Sequence, residues 1–151
     1  MKKRSASTIG TLVFSCALVL TGLLAPDRAR AADDGTITIG NLVYAKTINC
    51  YGMQGWDQAM SSAAQLKSGD CGLNDGSKAG QWRLPSTYET WGANKSNGFL
   101  NAPSWPRDCF WTNREIGAAA PDYAECAGES APNGATSNKS TPQNVVFVRP
   151  K

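Results

Sequence analysis

Four cysteines, Cys50, Cys71, Cys109 and Cys126, lie beyond residue 49 of a chain that contains no histidine. Their chemistry limits the fold more than any other feature. An even set of cysteines reads as a disulfide framework in an oxidising compartment, and as a metal site or a set of thiols in a reducing one. Zinc fits poorly: there is no imidazole, no Cys-x-x-Cys knuckle, and the closest pair is Cys109 and Cys126. Three pairings are open, and sequence proximity favours Cys50 with Cys71 and Cys109 with Cys126. A helix over residues 56–68 would rise about 20 Å, and the extended residues between Cys50 and Trp56 span about the same distance. Cys50 can therefore reach the far end of that helix. Each bridge would close a loop of about 20 residues and contribute roughly 3 kcal/mol, a large share of a net stability of about 5–15 kcal/mol.

The amino-terminal residues place the cysteines in an oxidising compartment. Met1-Lys2-Lys3-Arg4 is a basic patch, and Thr11 to Ala25 carries no charge. Pro26 follows, and then Ala29-Arg30-Ala31, the small-x-small pattern of a signal peptidase site. We expect residues 1–31 to be a cleaved signal peptide and 32–151 a single exported domain, periplasmic, extracellular or at the cell surface. The uncharged run is shorter than the roughly 20 residues that span a bilayer, so no membrane span is expected after cleavage. Cys16 lies inside the apolar run behind Phe14 and Ser15, which does not suit lipidation.

Cleavage changes the electrostatics. The full chain has 15 basic and 12 acidic residues. The leader takes Lys2, Lys3, Arg4, Arg28 and Arg30 but only Asp27, leaving ten basic and eleven acidic residues. The net charge of +3 becomes about −1, which removes the electrostatic case for a nucleic-acid partner.

Within the mature part, Thr36-Ile37-Thr38-Ile39, Gly40-Asn41 and Leu42-Val43-Tyr44-Ala45 read as a β-hairpin with a two-residue turn. Trp56, Ala59, Met60, Ala63 and Ala64 form one helical stripe, with Gly69 as the expected stop. From Ser68 to Gly80 the composition is that of an ordered loop, with a tight turn at Asn74-Asp75-Gly76. Trp82 and Leu84 read as core, Arg83 as a paired structural cation and Pro85 as a strand end. Ser86-Thr87-Tyr88-Glu89 has capping-box spacing, so a second, shorter helix should begin at Thr87 and carry Trp91 inward. Residues 92–108 read as loop anchored by Phe99, Leu100 and Trp105. Phe110-Trp111-Thr112 is a short strand. Residues 117–142, rich in Ala, Gly, Pro, Ser, Asn and Thr, read as loop or partly disordered chain. Val145-Val146-Phe147-Val148 reads as a central strand.

Several pieces also line up in a recognisable order: Asn49-Cys50-Tyr51-Gly52, Trp56 and Ala59, then the block from Ser68-Gly69-Asp70-Cys71-Gly72-Leu73 to Gln81-Trp82-Arg83-Leu84-Pro85. Phe110-Trp111-Thr112 and Val146-Phe147-Val148-Arg149-Pro150 follow. Across nearly the whole mature chain this resembles the bacterial DUF1566 family, also called the Lcl C-terminal domain family. The resemblance implies an α+β, C-type-lectin-like domain with a small antiparallel sheet, two helices, long loops and two disulfides. For some members it implies adhesion through glycosaminoglycan or carbohydrate binding at the bacterial surface, and it implies no catalytic residues. Thr112 and Asn113 replace the serines usual after the aromatic pair, and the segment after Trp111 is short. The Trp-Arg-Leu-Pro block is also similar to that of sulfatase-modifying factors, which are larger and use reactive cysteines.

No metal or other cofactor is expected. The Glu-Pro-Asn or Gln-Pro-Asp and Trp-Asn-Asp triplets of calcium-dependent lectins are missing. Asp70, Asn74 and Asp75 could offer oxygens, but such residues more often bond their own turn. Without histidine the commonest general base is gone. Carboxylate pairs such as Asp108 with Glu115 or Glu125 with Glu129 are better read as solvated acids than as a glycosidase pair, so the chain is read as no enzyme. The candidate binding residues are Trp105, Arg107, Asn113, Arg114, Tyr123 and Lys139, aromatic, guanidinium and amide groups suited to sugar faces and anions, expected to converge on one surface. The function expected is a secreted or surface-associated recognition or adhesion module for glycans or another extracellular polymer. The alternative is a structural or regulatory component of a cell-envelope assembly whose partner is an envelope protein.

Overall fold

The computed structural model describes residues 33–90, 108–128 and 131–151; Trp91, Phe99, Leu100, Trp105, Arg107 and Glu129 lie outside them. The hairpin forms as its sequence predicts. β1 (Thr36–Ile39) pairs antiparallel with β2 (Leu42–Ala45), and Ile39 opposite Leu42 closes the register around Gly40-Asn41. Gly40 has φ 60° while Asn41 stays out of the left-handed region, the sign pattern of a type II′ turn with glycine first. β2 also pairs antiparallel with β6 (Val148–Pro150), completing a three-stranded sheet of order β1-β2-β6.

α1 (Trp56–Gln65) buries Trp56, Ala59 and Ala63; Ala64, expected on the same stripe, is exposed. The helix stops earlier than Gly69 predicts, because Leu66 turns to an extended conformation (φ −61°, ψ 135°) and is fully buried. The Gly80 amide then donates to the Ala64 carbonyl at 2.8 Å, so the loop of residues 67–80 supplies a helix-end partner that continued helix would have supplied.

The capping box is present in full. The Ser86 hydroxyl accepts from the Glu89 amide at 3.3 Å, and Glu89 Oε2 accepts from the Ser86 amide at 2.7 Å. Residues 87–90 are helical and are labelled α2. Glu89 also receives both Nη1 and Nη2 of Arg83 at 2.7 Å each, which gives Arg83 its structural role. These bonds hold the Glu89 carboxyl at about 2, below its usual 4.5, with the Arg83 bonds as the main cause. The hydroxyl of Tyr44 donates to the Glu89 carbonyl at 3.1 Å. Burial and the adjacent Glu89 charge push that phenol up to about 12.

The segment read as loop or partly disordered holds two strands. β3 (Phe110–Glu115), β4 (Tyr123–Ala127) and β5 (Ala135–Asn138) form a second antiparallel sheet of order β3-β4-β5. β4 and β5 are rich in alanine and short polar residues, so hydropathy gives no signal there. Their order comes from outside the segment: Trp111 and Cys126 are cross-strand partners, and Cys126 is bridged to Cys109.

Both disulfides have the favoured pairing, with Cα–Cα distances of 5.5 Å for Cys50–Cys71 and 5.4 Å for Cys109–Cys126. The larger hydrophobic cluster contains Val43, Trp56, Leu66, Trp82, Leu84, Trp111, Val145 and Phe147; the smaller contains Tyr44, Phe110, Val146 and Val148. Each described tryptophan finds an acceptor for its indole N–H, as a buried indole requires. Trp56 donates to the Thr112 carbonyl, Trp111 to the Gln54 carbonyl and Trp82 to the Ser77 hydroxyl, at 2.8, 2.8 and 2.9 Å.

The Val145–Val148 run differs from its expectation as a central strand. Only Val148 belongs to a ladder, and β6 continues to Pro150 opposite Leu42. Residues 145–147 instead bond singly to several partners: Val145 O accepts from Asn49 N and Phe147 O from Ala45 N, both at 3.0 Å. Alternation along this run sends Val145 and Phe147 into one cluster and Val146 and Val148 into the other. Among the described residues no helix is long and apolar enough to cross a membrane.

Candidate functional site

Two of the three side chains considered for calcium, Asp70 and Asp75, are engaged in bonds within the protein. Asp75 Oδ1 accepts from the Ser77 amide at 3.2 Å and its hydroxyl at 2.7 Å, while Oδ2 accepts from Arg149 Nη2 at 2.9 Å. Burial pushes the Asp75 carboxyl upward, but these bonds outweigh it and hold the group below its usual value. Asp70 Oδ2 accepts from the Lys67 amide at 3.3 Å. Arg149 also lies over the Trp82 ring, 5.3 Å from its centroid, which ties the carboxy-terminal strand to the core.

Of the six candidate binding residues, Trp105 and Arg107 lie outside the described residues. Of the other four, Lys139 and Arg114 border two different recesses, and Asn113 and Tyr123 line neither. Lys139 is mostly buried: its ammonium pairs with Glu115 and sits 4.7 Å from the centroid of the Trp56 ring. It borders a recess of about 460 Å³ at the start of α1, with Asp57, Gln58, Asp122 and Asn138. Arg114 is the next residue to Glu115 on β3 and borders a different recess, of about 240 Å³, with Thr87, Tyr88, Pro132 and Asn133. The expected convergence of Arg114 with Lys139 is therefore not found. Asn113 is exposed, and its amide donates to the Pro85 carbonyl at 2.8 Å, fastening β3 to the Trp-Arg-Leu-Pro block. Tyr123 stands 42 % exposed at the start of β4 and lines neither recess.

The Arg114 recess has the more distinctive chemistry. Ala124 and Cys126 pack into the larger cluster, so strand alternation turns Glu125 to the other face of β4. There Glu125 is 4 % exposed yet fully engaged: the Thr87 hydroxyl donates to Oε1, and Arg114 Nη1 donates to Oε2 at 2.6 Å. Gly134 makes room for it. A Cβ at Gly134 would come 2.7 Å from the Glu125 Cδ, and the backbone there has φ 85°, so glycine is required twice over. Arg114 keeps 69 % of its side chain in solvent, and its remaining N–H groups have no partner among the described residues. Tyr88, at the second position of α2, is 84 % exposed.

Sequence reasoning found Arg114 and missed Thr87, Tyr88 and Asn133. The capping box contained the signal for Tyr88, since fixing Ser86 as the cap places its near neighbours on the rim of the helix start. In the sequence Glu125 reads only as a partner of Glu129. The alternation of Ala124 and Cys126 around it was the usable clue. No family model, curated protein or solved structure matches this chain.

Proposed function

We propose that this protein is an exported, disulfide-stabilised recognition module of the bacterial surface or periplasm, of the DUF1566 and C-type-lectin-like type, that binds glycan. The observation that carries the reading is the Arg114 recess. It joins a largely exposed tyrosine ring, which can stack on the apolar face of a pyranose, to a guanidinium fork held by a buried carboxylate in a recess that Asn133 also lines. Aromatic surface beside fixed donors is what a hydroxyl-rich ligand requires. The two disulfides and the amino-terminal leader pattern support an oxidising compartment.

The test is a glycan array probed with oxidised wild-type protein, Tyr88→Ala and Arg114→Ala. Retention of at least one glycan class by the wild type, weakened about tenfold or more in both variants, is the expected result. Equal binding by all three proteins would remove the recess from the reading. Capture of envelope proteins with no glycan retained would replace it with the protein-partner alternative.

A further inference from the structure

We infer that the Arg114 recess selects uncharged, hydroxyl-rich sugars over sulfated or carboxylated polymers. The inference rests on the glycan reading above and concerns the charge class of the ligand. Arg114 is the only cation lining the recess among the described residues. Its charge is already matched by Glu125, 2.6 Å away and with only 5 % of its side chain exposed. That carboxylate is part of the framework: Thr87 bonds its other oxygen, and the missing side chain at Gly134 leaves its place. An anion seated on the guanidinium would lie close to a buried negative charge that water screens poorly, so much of the attraction to Arg114 is cancelled.

An uncharged sugar meets no such opposition. Its hydroxyl oxygens can accept from the N–H groups that Glu125 leaves free, the Asn133 amide can donate or accept, and the Tyr88 ring offers an uncharged face. Of the eight described cations only Lys67, Lys78 and Lys151 carry no ion pair, and none of the three lines the recess. Lys46, Arg83, Arg114, Lys139 and Arg149 are each bonded to a carboxylate, those of Asp33, Glu89, Glu125, Glu115 and Asp75.

The test measures binding of the oxidised protein to uncharged hexose and N-acetylhexosamine oligomers, and to heparin and polygalacturonate, at low and high salt. The wild type is expected to bind an uncharged oligomer with affinity changing less than about twofold with salt. Arg114→Gln is expected to weaken that binding about tenfold, the loss of one or two hydrogen bonds to a charged donor. Glu125→Gln, which keeps the side-chain shape and frees the guanidinium charge, is expected to raise heparin binding about tenfold. Tyr88→Ala, at an exposed ring outside the Glu125 pairing, reports on the recess even if a variant of that pair folds poorly. Salt-sensitive wild-type binding to heparin or polygalacturonate, lost in Arg114→Gln, would overturn the inference and leave glycan recognition standing. Failure to bind any of these glycans would overturn both.

Discussion

Replacing Glu89 by glutamine removes one negative charge from a cluster in which it holds both forks of Arg83 and the Ser86 amide. The folded-state value of about 2, against a usual 4.5, corresponds to roughly 3 kcal/mol of preference for the ionised carboxylate. Arg83 is 36 % and Glu89 20 % exposed, and solvent screening of a pair at that depth leaves about 2 kcal/mol. Because the folded-state value lies below the unfolded one, this stability is present above about pH 4.5 and is lost as the pH falls through about 2. Urea unfolding of wild type and Glu89→Gln across that range should show a gap of about 2 kcal/mol at neutral pH that closes toward pH 2. The other carboxylates titrate alike in both proteins and cancel. A gap that stays constant with pH would show that the substitution acts through packing and not through charge, and a gap below about 0.5 kcal/mol would refute the assigned pairing.

Three further outcomes are expected. Gly134→Ala should lower stability by about 2–3 kcal/mol, from left-handed backbone strain and displacement of Glu125, and should weaken glycan binding; thermal melts and the array measure the two effects. Replacing Cys50 and Cys71 together by alanine opens a loop with a sequence separation of 21 and should cost about 3 kcal/mol in denaturant unfolding. Tyr88→Ala should leave the unfolding free energy within about 0.5 kcal/mol of wild type, since the ring is exposed, so that any binding loss is local.

The parts of the fold legible in the sequence are those whose determinants are local. Gly40-Asn41 sets the hairpin, the spacing of Trp56, Ala59 and Ala63 sets α1, and Ser86 with Glu89 sets the start of α2. β4 and β5 were not legible, because Ala124, Cys126 and Ala135 to Asn138 bring little hydrophobic area of their own. Their pairing depends on Trp111 and on the bridge to Cys109. Lys139 illustrates the same limit at the candidate site. Its sequence context suggests a free surface cation, but the approach of Trp56 and Glu115, both distant in sequence, converts it to a packing group. Arg114 was legible as a candidate, whereas its neutralisation by Glu125 required knowing which face of β4 is turned inward.

The alternating run at Val145–Val148 has a consequence for assembly. Neither cross-link joins the hairpin sheet to the later sheet, whereas these four side chains belong to both apolar clusters and the carbonyls of Val145, Phe147 and Val148 receive amides from Asn49, Ala45 and Arg83. A polypeptide emerging amino terminus first can close its hairpin, its first helix and its first bridge, yet it lacks the insert that both interiors share until residues 145–148 arrive. Completion of both interiors then waits on that single run, and a chain cut before residue 145 would be left with two unfinished interiors.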